Sequence, residues 1–396
     1  MLEKFCAFAI RLLAPQRNLL GALFTLLIAP SLVWSAAPIS PPPPVLQASS
    51  FLLIDADTGT VLAEHNANER KAPASLTKIM TGYVVGHEME LGRLGPEEMI
   101  QVSVNAWRTG GSKMFIREGT EVSVADLLKG VIIQSGNDAS VALAEHIAGN
   151  EAQFSELMNQ HAERIGMVGT QFRNSTGLPN AEHYSTAIDM AQLTQALIKD
   201  YPEQYRLYAE KNFEYNDISQ PNRNRLLWRD RTVDGVKTGY TSAAGYCLVA
   251  SAKRDGMRLI SVVMGAENDE ARMRESQKLL SFGFRNFESK TVYTSGTVLQ
   301  EEPVYYGTRD KVGLGVAEDV QLTIPRGYYG KLEPRLTIPA SLEAPLVAGQ
   351  AVGQLELVLG DEVIYQGEVV TTVAVPEGNL LSQLGDAIYL FFDGMQ

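Results

Sequence analysis

The chain has 396 residues, 45% of them apolar, and a formal net charge of −12. That length suits two or three domains with a sizeable core, and the acidic balance argues against a nucleic-acid partner. Its only cysteines are Cys6 and Cys247, so a chain that loses its N-terminal segment has no intramolecular disulfide.

In chain order, residues 18–34 form an apolar run after Arg11 and Arg17, followed by the small residues Ser35, Ala36 and Ala37. This is the pattern of an export signal cleaved near residues 35–37, the alternative being an uncleaved N-terminal anchor. The signal is placed at 1–36 and a stiff linker, with prolines at 41–44, at 37–44. Residues 45–287 read as one domain. It opens on a hairpin turning at Asp57-Thr58-Gly59, continues through a helical middle to about residue 200, and ends on strands and a helix near 267–284. Strands at both ends with helices between imply an α/β (α+β) fold, a sheet flanked by helices.

Three short motifs lie along this domain. The first is Ser75-Leu76-Thr77-Lys78, preceded by Pro73. Proline is a helix-start signal, so a helix is predicted from about Ala74, with Ser75 in its first turn and Lys78 on the same face. A serine nucleophile needs a base within hydrogen-bond reach, and a lysine serves only if burial or a neighbouring cation lowers its pKa. Lys237 is the expected cation. The plainer reading is a helix-capping serine beside a surface lysine. The second motif, Ser135-Gly136-Asn137, sits between two helical segments. Ser135 is suited to relay a proton and the Asn137 amide to hold a peptide carbonyl, although a simple turn has the same composition. The third, Lys237-Thr238-Gly239, lies on a strand beside a hairpin turning at Asp255-Gly256. A strand edge pairs with an extended peptide, Lys237 and Thr238 suit its terminal carboxylate, and Gly239 permits close approach. Backbone N–H groups of Ser75 and Tyr240 would form an oxyanion hole.

No metal or cofactor is expected. The histidines at 65, 87, 146, 161 and 183 do not pair at ligand spacing, and no phosphate-binding glycine loop is present. Residues 288–376 carry short valine-rich runs between glycines and prolines, the pattern of a small all-β domain. Residues 377–396 show an apolar stripe of Leu380, Leu384, Ile388, Phe391 and Met395, too short and too interrupted by Asp386 and Asp393 to span a bilayer. Either it lies on a membrane surface, where both aspartates oppose anionic lipid, or it packs on the β domain.

The three motifs, in this order, are those of active-site serine penicillin-recognising enzymes. Together with the stretches 51–65, 73–78, 134–138, 222–224, 233–239 and 322–327, they make the chain resemble low-molecular-mass penicillin-binding proteins, the serine-type D-alanyl-D-alanine carboxypeptidases, over residues 45–396. The resemblance implies a penicillin-recognising, serine transpeptidase-like catalytic domain. It implies that Ser75, Lys78 and Ser135 are catalytic and that Asn137, Arg223, Lys237, Thr238, Gly239 and Tyr240 bind substrate. Asp200 corresponds to a family acid near the site. Peptidoglycan stem pentapeptides would be the substrate and β-lactams covalent inhibitors. The location implied is the periplasmic face of the cytoplasmic membrane, reached through the C-terminal helix. Tyr240 replaces a histidine common in relatives, and the loop at 107–115 is shorter than in some. The alternatives are a DD-endopeptidase, a β-lactamase or a catalytically weak penicillin-binding scaffold. Against a β-lactamase, Glu156-Leu157-Met158-Asn159 only superficially echoes the deacylating Glu-x-x-Leu-Asn.

Overall fold

The computed structural model describes residues 41–393. The export signal and the start of the linker lie outside the described residues. The main sheet has five antiparallel strands in the spatial order Val61–His65, Ser50–Asp55, Met257–Ala266, Gly245–Arg254 and Val233–Thr241. Strands from both ends of the domain thus share one sheet. Both predicted hairpins are present, and the second turns tightly because Asp255 and Gly256 adopt positive φ values of 49° and 84°.

Alternation along the strands divides the interior in two. Leu52, Ile54, Val249 and Val262 face a large core of helices, whereas Phe51, Leu53, Leu248 and Val263 face a smaller one under the helix Asp269–Asn286. The inner strands are buried on both faces, and each fully buried aliphatic side chain contributes about 1.5–3 kcal/mol. The helix Thr77–Glu90 runs through the larger core and is buried almost all round, Thr77, Lys78 and Thr81 included, so its position is fixed by burial on every side.

Residues beyond 287 form the all-β part. A six-stranded sheet has the order Leu332–Thr337, Ala351–Leu359, Glu362–Thr371, Lys311–Gly315, Val298–Tyr305 and Leu342–Glu343, and Phe287–Tyr293 pairs separately with Val320–Pro325. Leu314, Leu355, Leu357 and Val369 fill its core. It meets the catalytic part through Thr58 and Thr323, whose hydroxyls lie 2.8 Å apart, and through Arg326, which donates to the Phe284 carbonyl at 3.0 Å.

The tail forms the helix Leu380–Asp393, with Leu380, Leu384 and Ile388 exposed. One expectation is corrected here. The Asp386 carboxylate turns back to accept the Tyr306 backbone N–H at 2.5 Å, so it is engaged by the β domain and not presented to a lipid surface.

Candidate active site

Ser75 does not sit in the first turn of an α-helix as the sequence suggests. Ala74–Leu76 form a 3₁₀ turn, and the α-helix begins at Thr77. Ala74 adopts a φ of 48°, held by a loop from the other side: a Cβ on Gly177 would lie 1.8 Å from the Ala74 carbonyl oxygen. Only glycine, itself at φ 80°, lets that loop close on the turn. The loop in turn is fixed by the carboxylate of Glu151, which accepts from the Ser175 N–H and hydroxyl at 3.0 and 2.7 Å.

Lys78 is buried and its Nζ faces three oxygens: Ser75 Oγ at 3.2 Å, Asn137 Oδ1 at 2.7 Å and the Thr176 carbonyl at 2.6 Å. Asn137 donates its Nδ2 to the Gly110 carbonyl at 2.7 Å, which fixes the amide so that its oxygen faces the lysine. The carbonyl and the amide oxygen can only accept, so a neutral amine gives its two N–H groups to them and keeps its lone pair for Ser75. Burial, reinforced by the Arg223 guanidinium, lowers the Lys78 pKa to about 7. The Arg223 guanidinium is thus one cation that acts on Lys78, and Lys78 and Lys237 disfavour each other's charged form. Lys237 is equally buried and its own pKa falls well below the usual lysine range, through burial first and then Lys78, Arg223 and Arg272.

Ser135 follows a π-helical turn, Gly130–Gln134, and takes a left-handed φ of 64°. Its hydroxyl is buried without a hydrogen-bond partner and borders the cleft. The wall opposite is tied down by Asp138, whose carboxylate accepts backbone N–H groups of Met114, Phe115 and Ile116. The third motif lies on the edge strand Val233–Thr241 and runs against the nucleophile turn. A Cβ on Gly239 would lie 3.0 Å from the Pro73 carbonyl oxygen and 3.2 Å from the backbone nitrogens of Ser75 and Leu76, so the strand packs tightly on this turn.

These elements enclose a cleft of about 360 Å³. Ser75, Ser135, Arg223, Thr238, Gly239 and Tyr240 line it, while Lys78, Asn137 and Lys237 lie buried beneath. Tyr240 is half exposed and packs on Tyr246 with ring centroids 4.3 Å apart. Asp200 is not in the cleft; it accepts from the Tyr83 hydroxyl at 2.7 Å behind the nucleophile helix. Arg272, unforeseen from the sequence, lines the cleft and donates to the Gly239 and Cys247 carbonyls at 3.0 and 3.3 Å, paired with Asp269. Its only sequence signal is the i, i+3 spacing from Asp269.

A base aimed at a serine, an edge strand and a ring of cations define a serine acyl-transfer site for carboxylate-bearing substrates. The comparisons agree. Residues 37–268 match the profile described as D-alanyl-D-alanine carboxypeptidase, and residues 287–377 that of the penicillin-binding protein 5 C-terminal domain. The chain is 44% identical over 380 residues to D-alanyl-D-alanine carboxypeptidase DacC of Escherichia coli strain K12, covering 94% of each. It is 36% identical to DacF of Bacillus subtilis strain 168, covering 82% of this chain and 84% of that one. A crystal structure of penicillin binding protein 5 from Haemophilus influenzae superposes with a TM-score of 0.81 at 43% identity, covering 85% of this chain and all of the other. The chain belongs to the D-alanyl-D-alanine carboxypeptidase family of serine hydrolases.

Proposed function

We propose that the protein removes the terminal D-alanine of peptidoglycan stem pentapeptides through an acyl-enzyme on Ser75. The observation that carries this is the geometry of Lys78: a buried amine with two obligate acceptors and a serine hydroxyl at 3.2 Å. The neutral amine takes the Ser75 proton as the hydroxyl oxygen attacks the carbonyl between the last two residues. The developing oxyanion meets the backbone N–H groups of Ser75 and Tyr240, brought together where the edge strand crosses the nucleophile turn. Ser135, whose hydroxyl has no partner among the described residues, passes a proton toward the leaving amine. The substrate carboxylate lies against Lys237, Thr238, Arg223 and Arg272, and its charge restores the protonated form of Lys237. Water then releases the shortened peptide and regenerates Ser75. A β-lactam, with a strained amide beside a carboxylate, acylates the same serine.

The chain divides for this task into a signal at 1–36, a linker at 37–44, a catalytic domain at 45–287, an all-β domain at 288–376 and a tail at 377–396. The apolar run at 18–34 supports export, and the exposed Leu380, Leu384 and Ile388 support peripheral attachment to the periplasmic face of the cytoplasmic membrane. Among the described residues no helix is long and apolar enough to cross a membrane.

Product analysis tests this reading. A stem pentapeptide should yield free D-alanine and tetrapeptide, and Ser75→Ala should lose both this activity and covalent labelling by a fluorescent penicillin. Preferential cleavage of a cross-linked dimer would make the protein an endopeptidase, and rapid turnover of penicillin a β-lactamase. Undiminished labelling of Ser75→Ala would overturn the nucleophile.

A further inference from the structure

A second cleft, of about 990 Å³, opens on the far side of the nucleophile helix, between the catalytic part and Gln321 of the β part. It is larger than the active cleft and its charge runs against that of the chain. Arg164, Lys199, Lys253 and Arg258 line it with Asp57 and Asp200, and Asp234 pairs with Arg258, which leaves an excess of one cation in a protein of net charge −12. Of the two carboxylates, Asp200 already accepts from Tyr83. Asp57 is held above the usual carboxylate range, by burial first and then by Asp55. A surplus of cations in a concave site of this size suits an anionic ligand. The wall also carries Gln192, whose buried Oε1 has no partner among the described residues. A buried acceptor of that kind calls for an N–H or O–H donor.

The cleft touches both elements that build the active site. Tyr83 lies on the nucleophile helix, five positions past Lys78. Arg258 grips Asp234 of the edge strand with two contacts, at 2.9 and 2.8 Å, and Tyr205 adds a third at 2.8 Å. Asp234 stands three residues ahead of Lys237 on that strand.

We infer that this cleft is a second ligand site, for a short acidic peptide, and that its occupancy is felt at the active cleft. Carboxylates of the peptide engage Lys199, Lys253 and Arg164, and one competes with Asp234 for Arg258. The Gln192 side chain turns toward the cleft, and its Oε1 accepts a peptide N–H. Loss of the Arg258–Asp234 grip loosens the edge strand, and acylation of Ser75 slows.

The test pairs calorimetry with the rate of labelling by a fluorescent penicillin, using triglutamate, trialanine amide and inorganic phosphate as probes. Triglutamate should bind the full-length protein and slow its labelling several-fold, and trialanine amide should do neither. The Lys199→Ala/Lys253→Ala variant should label at the unliganded rate and bind triglutamate about tenfold or more weakly. Equal binding by that variant, or no binding by the native protein, overturns the site. Binding without a change in labelling overturns the coupling. Phosphate acting as well as triglutamate overturns the peptide and leaves a simple anion site. The calorimetric arm does not depend on Ser75 chemistry, so absence of any labelling would count against the proposed function and not against this site.

Discussion

Replacing Arg223 with glutamine should move the pH dependence of acylation. Lys78 titrates at about 7, lowered by burial and then by the Arg223 charge. The base is active only when neutral, so at pH 7 about half of the free enzyme is competent. Removing a cation close to a buried amine raises its pKa by about one unit or more, a tenfold change in the ratio of the two forms. The neutral fraction at pH 7 then falls to about one-tenth, and the second-order acylation rate drops about fivefold. Near pH 9.5 both proteins are almost fully deprotonated at Lys78, and the rates converge apart from any loss of carboxylate binding. Stopped-flow labelling from pH 5.5 to 10 reads the midpoint of the ascending limb directly. A midpoint shifted to higher pH supports the electrostatic account. A uniform drop with an unmoved midpoint refutes it and reduces Arg223 to a binding group.

Lys78→Met should stabilise the inactive protein. The folded-state value of about 7 lies below the ordinary 10.5, so the unfolded chain binds the extra proton and stability rises with pH between the two. At and below neutral pH the buried amine costs roughly 4–5 kcal/mol, partly offset by its bonds to Asn137 and Thr176. The gain in Tm should therefore be large at pH 6 and small at pH 10, and a fall in Tm at pH 6 would contradict the argument. Gly177→Ala should lower the Tm and abolish labelling, because a Cβ cannot share space with the Ala74 carbonyl oxygen; near-native labelling would show that the turn tolerates displacement. Truncation after Gly378 should give an enzyme that no longer sediments with membranes yet still cleaves small peptides. Equal sedimentation of both forms would assign attachment elsewhere.

The parts of the site that are legible in the sequence are those written in local rules. Ser75 and Lys78 meet because three residues of helix or 3₁₀ turn bring them to one face, and Asp255-Gly256 announces its own hairpin. The alternation of Phe51 to Ile54 likewise shows a strand with two buried faces. What stayed hidden depends on distant chain. Nothing in Pro73-Ala74-Ser75 signals a left-handed Ala74; the Gly177 loop imposes it. That Arg223 also acts on Lys78, and that enclosure depresses Lys237 as well, is hidden because burial cannot be read from a three-residue motif. Arg272 enters from a helix whose sequence reads as an ordinary amphipathic surface, and Asp386 looks like a charge for solvent until Tyr306 offers its N–H.

The order of strands in the main sheet also governs when the protein can first react. Ser50–Asp55 has no partner for Val233–Thr241 except through Met257–Ala266 and Gly245–Arg254, which stand between them. A chain emerging N-terminus first therefore holds Ser75 long before it holds the wall that makes the serine reactive. Until Gly245–Arg254 and Met257–Ala266 are both in place, the edge strand is not joined to Ser50–Asp55 in one sheet. Loop closure over some two hundred residues is slow compared with local helix formation. Covalent capture by penicillin should therefore report when the long-range closure of the main sheet is complete.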